Sequence, residues 1–403
     1  MIKPLGNKFF AENRSRLSRV LGGGLIVATA YTALQRGNDA AFGFEQEANF
    51  WYLTGIEHPD WWVIIDGTSG KTTLVQPAVS DVHELFDGSL SQEEALEISG
   101  AHDVIDRDAA LMQLRTYART RGLVYTPGNL PGSRESLGFY ANPAQRELRA
   151  TLRRIFTTVE DCRREMAKLR AIKRPEEITV IRSAIDLTST AFSDVRAKFG
   201  NYKHEYEIEA EFTHAFRSHG AAGHAYDPIV ASGANACTLH YHANRDAVRA
   251  HGGVLIDIGA RLHGYAADIT RTYDADPSKR LGEVHKAVQN AHAQVIELLK
   301  PGLDLREYMA SVEGIMSDAL DSLDLLMTSE DYSRYFPHSI SHGLGIDVHD
   351  SLGSPQVLEP GMILTVEPGV YIPEESIGVR IEDDILITEN GHENLSASLS
   401  TDL

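Results

Sequence analysis

The chain has 403 residues, more than one hydrophobic core ordinarily serves, so two domains are expected. A net charge of −19 speaks against a nucleic acid partner, which needs a clustered basic surface. Cys162 and Cys237 are too few and too far apart for a disulfide framework and fit a reducing cytoplasm, and no apolar run reaches the roughly 18–20 residues that span a bilayer.

Basic residues up to Arg19 precede "VLGGGLIVATAYTAL", which has the outline of a secretory leader. Its glycines and the strand-like sequence that follows favour a buried strand instead. Residues 1–140 then alternate short apolar runs with turns: "GLIVATA", "NFWYLTG", "WWVIID" and "TTLVQP". That pattern predicts a mixed α/β domain built on a sheet. "GTSGKTT" at 67–73 imitates a phosphate loop, but too few residues separate its glycines, so it reads as the turn between two strands. From Pro143, Leu148, Leu152, Ile155, Phe156 and Val159 recur at helical spacing among Arg146, Arg149, Arg153 and Arg154. This predicts a linker helix with a solvated basic face. The expected domains are 1–160 and 161–403, with the boundary near Asp161.

The second domain shows a coarse repetition. Residues 176–219 read as two helices followed by strands to Tyr273; residues 281–325 again read as two helices, followed by strands to Thr388. Both halves end in strands that carry carboxylates. In "VLIDIGARLHGYAADITRTY", a hairpin centred between Leu262 and His263 would set Asp257 directly across from Asp268. Asp is a poor strand former, and like charges there repel. In the second half, Glu367 ends the apolar run of "ILTVEPG", and Glu382 sits within "VRIEDDILI" with Arg380 on the same face by period-two alternation. Any one of these acids could be an edge charge or a partner of Arg380. Four together require a neutralising cation.

"FPHSISHGLGIDVHD" at 336–350 adds His338, His342 and His349. His338 and His342 have the spacing of the HExxH zinc signature, but Ser339 replaces its Glu, and Gly343 and Gly345 oppose a helix. An extended, histidine-rich strand is expected. A donor set dominated by oxygen favours a hard ion such as Mn²⁺, with Zn²⁺ or Co²⁺ also compatible. Four carboxylates exceed what one divalent ion neutralises, so two ions suit them better, and such a pair lowers the pKa of a water they share.

Together, "DIGARLHGYAADITRT", "SHGLGIDVHD", "TVEPGVY" and "VRIEDDILI" resemble the pita-bread metallopeptidases, the family of aminopeptidase P, prolidase and methionine aminopeptidase. "AIKRPEEITVIRSAID" resembles the opening of their catalytic domain, and "FGFEQEANFWYLTGI" the smaller creatinase-like N-terminal α/β domain. The resemblance implies an α/β chain ending in a pita-bread catalytic domain. It implies that Asp257 holds one ion, His342 and Glu367 the other, and that Asp268 and Glu382 bridge the pair. Glu367 would take the proton from the attacking water, His349 would serve the developing oxyanion, and His240 would relay a proton to the leaving nitrogen. His338, Tyr371 and Arg380 would line the substrate pocket, with Arg380 also orienting a ligand carboxylate.

The resemblance also implies hydrolysis of the bond before proline, acting on a proline-containing dipeptide or short peptide, and a homodimer. The motifs do not separate a dipeptidase from an aminopeptidase. The short stretch after Glu382 favours Xaa-Pro dipeptidase (prolidase), with His338 or Arg380 binding the free carboxylate after proline. Aminopeptidase P is the alternative, and a non-catalytic peptide-binding pita-bread protein is the reading from another class.

Overall fold

The computed structural model describes residues 5–128, 140–249, 251–328 and 330–403. These fall into two compact units, one ending at Leu169 and the other running from Arg170 to Leu403. The divide lies inside the helix Arg163–Ala171.

The first unit is built on a six-stranded mixed sheet. Its strands are β1 (Leu25–Thr29), β2 (Trp62–Asp66), β3 (Lys71–Val75), β4 (Asp103–Ile105), β5 (Leu123–Thr126) and β6 (Thr158–Asp161), in the order β4-β3-β2-β1-β5-β6. "LIVAT" is buried at every position, as a strand covered on both faces must be. "GTSG" is the turn that joins the antiparallel β2 and β3. Two elements differ from expectation. "NFWYLTG" lies in a helix, Ala48–Thr54, because Glu47 accepts from the Phe50 amide at 2.6 Å and Gly55 closes the end at φ 70°. A short apolar run does not by itself separate strand from helix. The arginine-rich helix stops at Arg153 and is a core element rather than a linker: Leu148 and Leu152 pack with Val27, Ile64 and Leu114. Val159 lies in β6, at the edge of the sheet.

In the second unit, helices Pro175–Lys198 and Glu205–Ser218 precede β7 (Gly223–His224), β8 (Ile229–Ser232), β9 (Val254–Ile258), β10 (Ala260–Leu262), β11 (Tyr265–Ala266) and β12 (Ile269–Tyr273). Helices Lys279–Leu298 and Leu305–Asp321 then precede β13 (Ile363–Val366), β14 (Gly369–Ile372), β15 (Ile377–Arg380), β16 (Asp383–Thr388) and β17 (Gly391–Asn394). Each half is thus two helices followed by antiparallel strands, β12-β9-β8 in the first and β13-β16-β17 in the second. An isolated bridge between Thr270 and Glu382 joins the halves. The second pair of helices buries Val288, Val295, Val312 and Met316 against Leu364, Val379 and Ile385. Among the described residues no helix is long and apolar enough to cross a membrane.

Candidate metal centre

The hairpin carrying the first two acids turns one residue later than its sequence suggests. Leu262 pairs with Tyr265, and His263 and Gly264 take φ of 47° and 84°, the left-handed pair of a two-residue turn. Asp257 therefore faces Thr270, not Asp268. The two acids still meet: the Tyr226 hydroxyl lies 2.6 Å from Asp257 Oδ1 and 2.5 Å from Asp268 Oδ1. Gly259 is required here, because a Cβ at that position would come within 1.6 Å of the Ala267 carbonyl oxygen.

Glu382 is not inside a strand. Between β15 and β16 the chain leaves one sheet and enters another, and Glu382 sits at that break. Its amide donates to the Thr270 carbonyl at 3.0 Å, and Thr270 Oγ1 donates to Glu382 Oε2 at 2.7 Å. The histidine-rich segment is likewise a loop of bends rather than a strand, fastened by bridges from Gly343 to Asp350 and to Leu364. Its two glycines permit the close approach: a Cβ on Gly343 would meet the Asp350 carbonyl oxygen at 2.5 Å.

These folds bring together the acids and the imidazole. His342 Nε2 is 3.4 Å from Asp268 Oδ2, 3.6 Å from Glu367 Oε1 and 4.0 Å from Glu382 Oε1. Ligand atoms of Asp268, His342 and Glu382 all lie within 4.8 Å of one another. Glu367 follows directly on β13. Arg380, buried at the end of β15, donates to Asp257, to the Tyr371 hydroxyl at 2.8 Å and to Thr270 Oγ1 at 3.2 Å.

Burial pushes the Asp257 and Glu382 carboxyls up, and the charge of Asp268 adds to both effects. Burial likewise raises Glu367 to about 7, against the pull of His342. Burial opposes charge on His342, but the hydrogen bond with Asp268 and the acids around it push the imidazole up to about 9. Buried carboxylates short of positive charge, with an imidazole among them, are the donor set a hard divalent ion takes. The residues present fit such a group.

The pocket residues form a chain. Arg380 donates to the Tyr371 hydroxyl, which is 2.8 Å from His338 Nε2, while His338 Nδ1 is 2.8 Å from the Ser339 carbonyl oxygen. Burial, aided by Arg380, lowers His338 to about 4. The ring of His349, on an exposed residue, stands edge-on to His342, with centroids 4.4 Å apart. His240 is exposed, stacks on His242 at 5.9 Å and lies close enough to His338 to disfavour its charge. Sequence reasoning missed three contributors. Tyr226 has no motif around it. Thr270 stood in plain view within "DITRT". Asp384, wholly buried behind Asp268, accepts from its amide at 3.1 Å.

Acids gathered around an imidazole where two similar helix-and-strand halves join are what the resemblance to the pita-bread metallopeptidases implies, and the family models assign that class. The profile of Metallopeptidase family M24 matches residues 179–389, and that of Aminopeptidase P, N-terminal domain, matches residues 10–125. The chain belongs to metallopeptidase family M24, whose chemistry depends on divalent metal. It is 33% identical over 424 residues to the Xaa-Pro aminopeptidase of Escherichia coli (strain K12), covering 97% of this chain and 95% of that one. The structure of aminopeptidase P from E. coli with the inhibitor Pro-Leu superposes with a TM-score of 0.85 at 30% identity, over 99% of this chain and 97% of that chain. The zinc-substituted E. coli enzyme in complex with product gives 0.84 at 30% identity, with the same coverage.

Proposed function

We propose that the protein is an Xaa-Pro aminopeptidase, which removes the residue ahead of proline from the amino end of a peptide. The observation that carries this reading is the convergence of Asp268, His342, Glu367 and Glu382 in a chain similar almost end to end to proteins of that name. Asp257 would hold one divalent ion, His342 and Glu367 a second, and Asp268 and Glu382 both. When bound, the ions supply Lewis acidity and an acidified water. The oxygen-rich donors favour Mn²⁺, with Zn²⁺ and Co²⁺ compatible.

Glu367 takes the proton from the attacking water, since it stands beside the acids with side-chain surface still open. His349 donates to the oxyanion that develops on the scissile carbonyl. His240 returns a proton to the leaving proline nitrogen, which carries no hydrogen of its own in the peptide. Arg380 fixes the Asp257 carboxylate and, through Tyr371, the tautomer of His338.

The same contacts support an aminopeptidase over the dipeptidase that the sequence favours. A dipeptidase must hold a free carboxylate immediately after proline, and its two cationic candidates are otherwise engaged: Arg380 by Asp257 and Tyr371, His338 at both ring nitrogens. A homodimer in the cytoplasm remains part of the proposal.

The test compares Ala-Pro-Ala with Ala-Pro at matched concentrations. Alanine should be released efficiently from the tripeptide and slowly from the dipeptide. Chelation should stop the reaction, and added Mn²⁺ should restore it. Preference for the dipeptide would return the reading to prolidase; turnover in metal-stripped protein would end it.

A further inference from the structure

The loop that carries His349 is fixed from behind by charges that the reaction does not use. Its base is closed by the Asp350 amide, which donates to the Gly343 carbonyl at 2.8 Å. The Asp350 side chain points inward and is 3% exposed. Two cations just ahead of the helix Pro175–Lys198 meet it there. Arg170 Nη2 is 2.9 Å from Asp350 Oδ1, and Lys173 Nζ is 3.7 Å from Oδ2. Arg170 also reaches Asp347 of the same loop at 2.8 Å. The Lys173 side chain is 1% exposed, and its ammonium has no hydrogen-bond partner among the described residues.

A buried ammonium without a hydrogen bond is costly, and apolar side chains of similar volume often stabilise a core better than such a pair. A gain in geometry would account for its presence. Gly345 adds to the grip, because a Cβ there would come within 2.1 Å of Asp350 Oδ2. The opposite end of the loop is held separately. The His342 amide donates to Thr365 Oγ1 at 3.2 Å, and its carbonyl accepts from the Thr365 amide at 2.9 Å. The candidate metal ligand is thus tied to β13, whereas the residue next to Asp350, His349, is tied to Arg170 and Lys173.

We propose that Lys173 and Arg170 are positioning residues that act through Asp350 to aim His349. The inference rests on the reading of His349 as the oxyanion donor. Lys173→Met keeps the length of the side chain and removes the charge. It should lower kcat by roughly 10–100-fold on Ala-Pro-Ala, the usual effect of losing an outer-shell partner, with KM and bound Mn²⁺ per chain unchanged. Asp350→Asn, which keeps the shape, should do the same and carries the test should Lys173→Met fail to fold. Lys173→Arg should restore most of the rate.

The deciding measurement adds Lys173→Met and Asp350→Asn to His349→Ala. Neither should lower kcat further, because a misaimed group and a missing one are equivalent. If the losses multiply, or if Mn²⁺ content falls with Lys173→Met or Asp350→Asn, the anchor does not act through His349 and the proposal is overturned. If His349→Ala alone leaves kcat intact, the oxyanion reading has failed, and the anchor with it.

Discussion

Glu382 and Asp383 are adjacent and equally buried, yet they face opposite circumstances. On the Glu382 side, Asp257, Asp268 and Glu367 crowd together, and their carboxyls are short of positive charge. On the Asp383 side, Arg271 donates at 2.6 Å, Asn394 at 2.7 Å and Ser396 at 2.7 Å, and His292 stands 3.3 Å away. Burial alone would raise the Asp383 carboxyl, but the charges of Arg271 and His292 and the hydrogen bonds from Arg271 and Asn394 together outweigh it and hold the group below its usual range. Arg271 itself is wholly buried and also donates to the carbonyls of Thr270, Glu382, Leu399 and Ser400. The contrast shows what separates a site from a scaffold. Burial is common to both; several uncompensated acids close together mark the side proposed to hold metal.

Breaking the deficient side should have the largest effect. Asp268→Asn removes the acid proposed to serve both ion positions, so metal content and turnover should fall together, the latter by more than about 10³-fold. Elemental analysis alongside a peptide assay checks this, and full activity without metal would refute the assignment. On the saturated side, Arg271→Met leaves Asp383 buried with no strong cation. The fold should lose about 3–5 kcal/mol in denaturant titration, and pairing the change with Asp383→Leu should recover much of it. A pair no more stable than the single variant would mean that Arg271 matters chiefly through the carbonyls.

A smaller effect should appear with acid. His285, on the helix Lys279–Leu298, is 5% exposed, and burial lowers it from 6.5 to about 4. The folded state keeps this ring neutral while the unfolded chain protonates it. Its contribution is therefore complete above pH 6.5 and is lost as pH falls toward 4, by about 3 kcal/mol at most. Unfolding free energies across that window should fall less steeply for His285→Asn. Equal slopes would show that His285 is not the group responsible.

Much of this was legible in the sequence, for definite reasons. The acids stood out because Asp and Glu inside apolar runs are costly, and the two pairs of helices because 3.6-residue periodicity survives over long segments. What failed depended on single backbone angles or short local signals. The hairpin register turned on positive φ at His263 and Gly264, which shifted the partner of Asp257 to Thr270. The break at Glu382 depends on Arg271 reaching across from another strand. Glu47 and Gly55, the caps that make "NFWYLTG" a helix, flank the run rather than lie in it. Tyr226 and Lys173 act through partners distant in sequence, and no spacing rule announces such contacts.

The candidate ligands come from separate stretches of chain: Asp257 and Asp268 from one hairpin, His342 from a loop, Glu367 from a strand end and Glu382 from a sheet junction. An ion held by all of them is a cross-link between both halves of the catalytic unit, and its binding energy is linked to folding. At a free metal concentration a hundred times the dissociation constant, that linkage is worth about 2.7 kcal/mol. Protein stripped by a chelator should therefore be a looser molecule as well as an inactive one. Its melting temperature should follow the metal in the buffer, and proteases should find the segment around His342 first.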